Sequence, residues 1–180
     1  MIVGIHGKAR SGKDTFADFV IEYAKYTNPF AKLSFADPIY NIVDIMFNVD
    51  SRSVKDKEEL FPEWDLSLRY MLQTVGTEMG RHMISDDIWI RNMQYRIDHS
   101  PAPNIIIPDV RFENEAHFIR KSGGFIIFVE RTSDDTEAVR KHISENGVKR
   151  QQNDMLIENN SSLGQLERKA IAFARESANL

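Results

Sequence analysis

Cysteine is absent from this chain of 180 residues, which excludes disulfide bonds, zinc–thiolate sites and thiol nucleophiles. Positive charge is not in excess either, because the formal net charge at pH 7 is −4, and this argues against a general nucleic-acid binder. No apolar run approaches the ~20 residues of a membrane span. The N-terminal segment also lacks the basic region that precedes the apolar run of a signal peptide. We therefore expect a soluble, cytoplasmic globular protein with no membrane and no nucleic-acid partner.

Short apolar runs alternate with helical patterns along the whole chain, which is long enough to bury roughly 70% of its unfolded surface in one core. Strands are predicted at MIVGIHG, AKLSF, IIIP, FIIFVER and MLIEN. The wholly apolar run IIIP is typical of a central parallel strand. The charged stretch from Asn48 to Asp65 is predicted to be a loop or a mobile flap. This order predicts an α/β fold, with helices on both faces of a mainly parallel sheet.

A phosphate-binding motif follows the first strand, in the sequence GKARSGKDT from Gly7 to Thr15. Glycines let the backbone of such a loop approach phosphate oxygens, and the next helix supplies free N–H groups and a positive dipole end. Lys13 then reaches the outer phosphates as a point charge. The alternative is an ordinary glycine-rich turn, which does not account for the lysine. The motif therefore predicts a nucleotide phosphate site.

The motif departs from the common pattern directly after the lysine, where Asp14 stands and the hydroxyl comes one position late, at Thr15. Because Mg²⁺ keeps several waters and takes few protein ligands, both residues are candidates to contact the metal. Asp14 can equally be an acid of the first helical turn, which the helix dipole favours. Adenylate kinase-like nucleoside monophosphate kinases also carry a threonine two places after the lysine. The departure thus counts against a switch GTPase but not against a small-molecule kinase.

A second acidic signal follows the apolar strand IIIP, where Asp109 and Arg111 stand. In open α/β sheets the strand tips face the ligand crevice, and an acid there can face Mg²⁺ or a phosphate. Arg111 points the same way along an extended chain and can reach an anionic substrate. The alternatives are a helix cap for Asp109 and a surface ion pair for Arg111.

Polar residues recur every fourth position in the helix predicted from LSLRYMLQTVGTEMGRHM. The polar row consists of Arg69, Gln73, Thr77 and Arg81. On a helix these side chains form one slowly turning row, in which two guanidiniums can hold a monophosphate and an amide can read a base edge. The alternative is the solvent face of an amphipathic helix. The opposite row is expected to face the core and consists of Leu68, Leu72, Val75 and Met79.

Further candidates lie outside these motifs. Trp89, near the start of the next helix, can stack on a base or fill the core. Asp37 can touch the sugar or base of a substrate, or cap a helix. Arg131 directly follows the strand FIIFVE and leads into a basic segment that contains Arg140. We predict that this segment, at about 131–150, closes over a triphosphate as a lid and excludes water. A solvated charged helix is the alternative.

Together these segments resemble one family. They are GKARSGKDT, SFADP, LRYMLQTVGTEMGR followed by DIWI, IIPDVRFENEA and HISE, and they resemble the deoxynucleoside monophosphate kinases of tailed bacteriophages. The resemblance implies a P-loop NTPase-type three-layer α/β/α domain over residues 1–180, with a substrate-binding helical flap at about 38–100 and a lid. It also implies ATP- and Mg²⁺-dependent phosphate transfer to a deoxynucleoside 5′-monophosphate. The protein would be located in the host cytoplasm if the chain is phage-encoded. A homodimer is compatible with the resemblance.

Combined with the resemblance, the motifs define a candidate site. The catalytic residues would be Lys13, Asp109 and Arg131. ATP would be held by Gly7, Lys8, Ala9, Arg10, Ser11, Gly12, Lys13, Asp14, Thr15, Arg140 and Asn160, and Asn159 would also border the adenine. The substrate would be held by Asp37, Arg69, Gln73, Thr77, Arg81, Trp89 and Arg111. The metal would be held by Asp14, Thr15 and Asp109.

Two other functions are compatible with the same phosphate loop. One is another small-molecule P-loop kinase, acting on dephospho-coenzyme A or phosphomevalonate. The other is a nucleotide-binding module without turnover, for which Asp14 is the only support. Gln73 and Trp89, as base-reading candidates, favour a nucleotide acceptor over the first of these.

Overall fold

The computed structural model of this chain describes residues 1–131 and 147–177. Its internal contacts divide the chain into two compact units. The core unit comprises Met1–Leu33 and Ile97–Leu180, and the helical unit comprises Ser34–Arg96. Among the described helices, none is long and apolar enough to cross a membrane.

The helices and strands follow one another in a mainly alternating order. They are β1 (Ile2–His6), α1 (Lys13–Ala24), β2 (Phe30–Lys32), α2 (Asp37–Phe47), β3 (Leu60–Phe61), β4 (Leu66–Ser67), α3 (Leu68–Gln73), a π-helix (Thr74–Ile84), α4 (Ile88–Asp98), β5 (Asn104–Ile107), α5 (Glu113–Lys121), β6 (Phe125–Glu130), β7 (Met155–Glu158) and α6 (Leu163–Ser177).

The core unit is built on a five-stranded sheet in the order β2-β5-β1-β6-β7. All its neighbouring strands are parallel, and Gly4 in the central strand pairs with Ile107 on one side and Ile126 on the other. Since the strands are parallel, their carboxyl ends meet at one edge of the sheet. The phosphate loop, Arg131 and Asn159 all follow strand ends at this edge. The predicted α/β fold with a mainly parallel sheet is confirmed.

Helices cover both faces of this sheet, because successive side chains of a strand point to opposite sides. Val3 and Ile5 are fully buried in one apolar cluster with α1 and α6, which contribute Phe16 and Phe173 among others. Gly4 faces α5 instead, where an added Cβ would lie 2.7 Å from Ile119 Cδ1. Each fully buried side chain of this kind contributes about 1.5–3 kcal/mol. The result is the predicted three-layer α/β/α arrangement.

A buried carboxylate fastens the side of the core unit next to α5. The Asp154 side chain is 1% exposed and lies 2.6 Å from Arg120 Nη2. It also accepts the backbone N–H groups of Ile126 and Gln151, at 2.9 and 2.7 Å. Burial raises the pKa of Asp154, but the hydrogen bonds from Arg120, Gln151 and Ile126 outweigh it, so the pKa lies below its ordinary value. This one side chain joins α5, the start of β6 and the approach to β7.

The helical unit has its own apolar cluster, centred on Val43, Leu68, Met71 and Val75. Leu72 and Met79 pack against it. The whole predicted apolar row therefore faces this core, as the sequence indicated.

Three predicted elements differ from those observed. The second strand is Phe30–Lys32 rather than AKLSF, because the chain turns at Ser34, whose N–H donates to the Asp37 carboxylate at 2.9 Å. The predicted loop from 48 to 65 contains strand β3, which pairs with β4 in a hairpin whose Phe61 and Leu66 pack on the apolar cluster of the helical unit. The long predicted helix is α only as far as Gln73 and then continues as a π-helix.

Candidate active site

The phosphate loop is closely packed at both of its glycines. Gly12 is the N-cap of α1 with φ +95°, a left-handed conformation that favours glycine. At Gly7 an added Cβ would lie 2.6 Å from both the Val129 carbonyl oxygen and Ser11 Oγ. The Ser11 N–H donates to the Lys8 carbonyl at 3.2 Å. The loop therefore bends sharply into α1, whose first N–H groups lack helical acceptors and can bind an anion.

A cavity of about 360 Å³ lies beside this loop in the core unit. Three of its side chains are cationic, one is a carboxylate, and two leucines supply apolar surface. This combination suits a ligand with several negative charges and one flat apolar part. The lining residues are Arg10, Gly12, Lys13, Asp14, Thr15, Arg131, Asn159, Ser161, Leu163 and Leu166.

Lys13 and Asp14 are paired, but they are very differently exposed. Lys13 Nζ lies 3.4 Å from Asp14 Oδ2, and the side chains are 14% and 64% exposed. An ion pair this open to water is worth at most about 1 kcal/mol, so a phosphate can replace the carboxylate as the partner of Lys13.

The same wall offers ligands for a nucleotide-bound metal. Asp14 and Thr15 both line the cavity, and Mg²⁺ bound with a nucleotide takes one or two carboxylates together with phosphate oxygens. Within residues 1–131 and 147–177, no three His, Asp or Glu side chains cluster into a site complete without such phosphates. The carboxylate of Asp14 and the hydroxyl of Thr15, both on the cavity lining, fit a nucleotide-bound Mg²⁺.

Asp109 lies two residues beyond β5, which neighbours β1 in the sheet. The following Val110 is tied to β1 twice. Its N–H donates to the Ile5 carbonyl at 3.2 Å, and its carbonyl lies 2.9 Å from His6 Nδ1. Asp109 is thereby held at the edge of the sheet that carries the phosphate loop, although it does not line the cavity described above.

Arg111 is held by a buried acid of α5. The carboxylate of Glu115, which is 2% exposed, accepts the backbone N–H groups of Arg111 and Phe112 at 2.8 and 3.1 Å. This contact fixes the backbone of the connection, while the Arg111 residue itself is exposed.

The far wall of the cavity was only partly anticipated from the sequence. Asn159 lines it, as do Ser161, Leu163 and Leu166, which were not among the candidates. Asn160 does not line it and is exposed. The available signal was the end of a strand followed by serines at a helix start, but the two leucines match an ordinary amphipathic helix equally well.

The lid prediction lies largely outside the described residues. Arg140 is one of the residues that the structure does not describe. Arg131 is described, follows β6 directly and lines the cavity.

In the helical unit, the polar row is accessible to solvent to different degrees. Arg69 and Gln73 are exposed, whereas Thr77 and Arg81 are half-buried. The Arg69 guanidinium is paired with Glu58 in an exposed ion pair, and Arg81 Nη1 donates to the Asp86 carbonyl at 3.4 Å. The ion pair of Arg69 with Glu58 is exposed and weak, so an anionic ligand can replace Glu58 as the partner of Arg69.

The π-helix keeps this row in line. In an α-helix four residues exceed one turn of 3.6 residues, so a row at this spacing drifts around the helix. A π-helix closes its hydrogen bonds over five residues, as from Ser85 N to the Gly80 carbonyl at 3.0 Å. In a π-helix four residues are less than one full turn, so the row rotates in the opposite direction around the helix axis. The α-helical half and the π-helical half thus offset each other.

Trp89 packs against this π-helix, and its predicted role as a base-stacking residue needs correction. Its side chain is only 5% exposed, and its indole N–H donates to the Gly76 carbonyl at 2.7 Å. An added Cβ at Gly80 would lie 2.5 Å from the indole ring. The ring therefore fills the interior of the helical unit and leaves no face for a base, which is the core alternative considered above.

Asp37 is occupied by contacts within the helical unit. Its carboxylate lies 2.6 Å from Arg96 Nη2 and accepts the Ser34 N–H at 2.9 Å. It is the first residue of α2, whose N-cap is Ala36. Asp37 thus shapes the turn before α2 instead of capping the helix.

Comparison with known proteins identifies the family to which the sequence is similar. A sequence model of the deoxynucleotide monophosphate kinase family matches residues 53–170. A putative deoxynucleotide monophosphate kinase of Acanthamoeba polyphaga mimivirus is 30% identical over 158 residues, covering 76% of this chain and 78% of that protein. The deoxynucleoside-5′-monophosphate kinase of Escherichia phage T5 is 25% identical over 181 residues, covering 68% and 72%. The chain therefore belongs to the deoxynucleotide monophosphate kinase family and is a phosphotransferase.

Proposed function

We propose that this chain transfers the γ-phosphoryl group of ATP to a deoxynucleoside 5′-monophosphate and releases ADP and the diphosphate. The observation that carries the proposal is the cavity beside the phosphate loop, in which Lys13, Arg10 and Arg131 face one ligand space. Family membership supports the nature of the acceptor.

The donor site follows from the cavity. The triphosphate would lie on the N–H groups at the start of α1, with Lys13 on its outer phosphates and Arg10 and Arg131 beside them. The adenine would lie toward Leu163 and Leu166, which give the cavity its apolar surface. Mg²⁺, held by Asp14 and Thr15 together with the phosphates, would neutralise charge on them.

The acceptor site would be the polar row of the helical unit. Arg69 and Arg81 would bind the monophosphate, and Gln73 and Thr77 would contact the sugar or base. Asp109 and Arg111 remain candidates for the acceptor or the metal. This assignment is supported by their position, because the backbone around them is fixed at the sheet edge that carries the phosphate loop.

The chemical step makes few demands on proton transfer. An oxygen of the acceptor phosphate would form a bond to the γ-phosphorus, while the bond from that phosphorus to the β–γ bridging oxygen breaks and ADP leaves. Because the attacking oxygen is already anionic, no strong general base is needed. Positioning and neutralisation of charge by Lys13 and Arg131 are sufficient.

A coupled ADP-release assay with ATP and Mg²⁺ tests the proposal. The acceptors are dTMP, dGMP, dCMP and dAMP with their ribose forms, and Lys13→Ala is the inactive control. We expect turnover with at least one deoxynucleotide, and a loss of at least about 100-fold in Lys13→Ala. A chain that binds ATP yet phosphorylates none of these acceptors would contradict the proposal, as would full activity in Lys13→Ala.

A further inference from the structure

We propose that Asn159 is a positioning residue for the phosphate loop, rather than only a lining residue of the cavity that would hold the adenine. The proposal rests on the donor site described above and deepens it. It concerns a residue that follows β7, 147 positions after Gly12 in the sequence, and that contacts the loop directly in the structure.

The first contact is a hydrogen bond to the loop backbone. Asn159 Nδ2 donates to the Ser11 carbonyl at 2.8 Å. Ser11 is only 3% exposed, and its side chain lies against Gly7, where an added Cβ would be 2.6 Å from Ser11 Oγ. Because Ser11 is confined, its carbonyl group can reorient little. The hydrogen bond from the Asn159 amide further fixes the peptide group that leads into Gly12.

The second contact is steric and falls on the next residue. An added Cβ at Gly12 would lie 2.4 Å from Asn159 Nδ2, so the amide lies directly over the Gly12 backbone. Gly12 has φ +95° and is the N-cap of α1. Asn159 therefore bears on the two residues that orient the first N–H groups of α1 and the Lys13 side chain.

The third contact anchors Asn159 itself. Its backbone N–H donates to the Glu130 carbonyl at 2.6 Å, and Glu130 ends β6 directly before Arg131. Three parts of the cavity thus meet at Asn159. They are the phosphate loop, the strand end at Arg131 and the start of the segment that leads to the apolar side of the cavity. A side chain at such a junction sets the phosphate geometry even when no base is bound.

A ligand without a base separates positioning from base contact. Isothermal titration calorimetry would measure ATP and tripolyphosphate binding to the wild-type chain, Asn159→Leu and Asn159→Asp. Leu is uncharged and, like Asn, branched at Cγ, but it is larger and has no donor, whereas Asp preserves shape and replaces the donor by an acceptor. Asn153→Asp, an exposed position before β7, is the control for added charge. Ligand-free melting temperatures would report any general loss of stability.

We expect Asn159→Leu to weaken tripolyphosphate and ATP by a similar factor, about five- to tenfold for one lost hydrogen bond, and Asn153→Asp to weaken neither. Asn159→Asp should weaken both more, because it also adds negative charge. Unchanged tripolyphosphate binding in a folded Asn159→Leu chain would overturn the inference, whatever happens to ATP. If Asn159→Leu does not fold, unchanged tripolyphosphate binding in Asn159→Asp would overturn it equally. A wild-type chain that binds neither ligand would overturn the donor site as well.

Discussion

Lys13 and Asp14 are adjacent and oppositely charged, and their exposure separates their roles. Lys13 is held near the cavity wall, whereas the Asp14 side chain is 64% exposed. A carboxylate beside a triphosphate is repelled by it unless a cation intervenes. The position of Asp14 on the cavity therefore favours contact with a metal-bound water over direct contact with phosphate.

Asp14→Asn tests this role directly. We expect the Mg²⁺ concentration at half-maximal velocity to rise about tenfold, because one carboxylate near the metal is lost, while the KM for the acceptor stays unchanged. The measurement is a Mg²⁺ titration of the ADP-release rate. Asp18→Asn, an exposed acid on the same helix paired with Lys32, is the matched control. Unaltered turnover and an unaltered Mg²⁺ midpoint would show that Asp14 serves only as an acid of the first helical turn.

At the scale of whole elements, the long helix of the helical unit depends on one tryptophan. The Gly76 carbonyl of this helix accepts the Trp89 indole N–H at 2.7 Å, and the indole ring occupies the space beside Gly80. The indole thereby favours the wider π-helical turn, and this turn keeps Arg81 in line with Arg69.

Trp89→Phe should therefore affect acceptor binding without affecting ATP. We expect the KM for the deoxynucleotide to rise about tenfold with the KM for ATP unchanged, and the chain to lose at least about 1 kcal/mol of stability for the missing hydrogen bond and the lost buried ring volume. Trp64→Phe is the control for the loss of an indole hydrogen bond, because the 44%-exposed Trp64 also donates its indole N–H to a backbone carbonyl, that of Phe47, at 3.0 Å. Steady-state kinetics of both variants are the measurement. Equal changes in acceptor KM for the two variants would mean that the effect is general destabilisation.

Patterns of local sequence predicted most elements, and the failures have identifiable physical causes. The short apolar runs MIVGIHG and IIIP indicated strands that are buried on both faces of the sheet, because composition and run length report burial. The π-helix was not predictable, because it depends on an indole 13 residues from its acceptor. Leu163 and Leu166 were missed as cavity residues, because helical spacing shows that leucines are apolar but not which surface they line.

The stability of the core unit at low pH should depend on Asp154. Its folded-state pKa is lowered, so its contribution is fully present above the ordinary aspartate pKa of about 3.9 and is lost as pH falls through the folded value. We expect Asp154→Asn to cost about 3 kcal/mol at pH 7, because the 12%-exposed Arg120 loses its buried carboxylate partner and keeps the more exposed Glu113. The acid limb of stability below about pH 4 should also flatten.

Chemical denaturation at several pH values measures both effects. Asp18→Asn provides the comparison, since its carboxylate is 63% exposed and should change stability by less than about 1 kcal/mol. Wild-type-like stability of Asp154→Asn at pH 7 would show that the hydrogen bonds to Asp154 add little to the fold.

At the scale of the whole molecule, the proposed donor and acceptor sites fall in different compact units. The phosphate loop and its cavity belong to the core unit, and the polar row belongs to the helical unit. Each unit has an apolar cluster of its own. A ligand that binds one set of residues should therefore protect that unit's amides from local opening first.

Hydrogen exchange with each ligand alone distinguishes the two functions. A non-hydrolysable ATP analogue should slow exchange in the phosphate loop and the first turn of α1, because phosphate oxygens accept those N–H groups. dTMP, or whichever deoxynucleotide is the best acceptor, should slow exchange between residues 68 and 84. Lys13→Ala should lose the first protection and retain the second. Protection by the deoxynucleotide confined to residues 7–15 would mean that the polar row is only a solvent face and that acceptor recognition lies within the core unit.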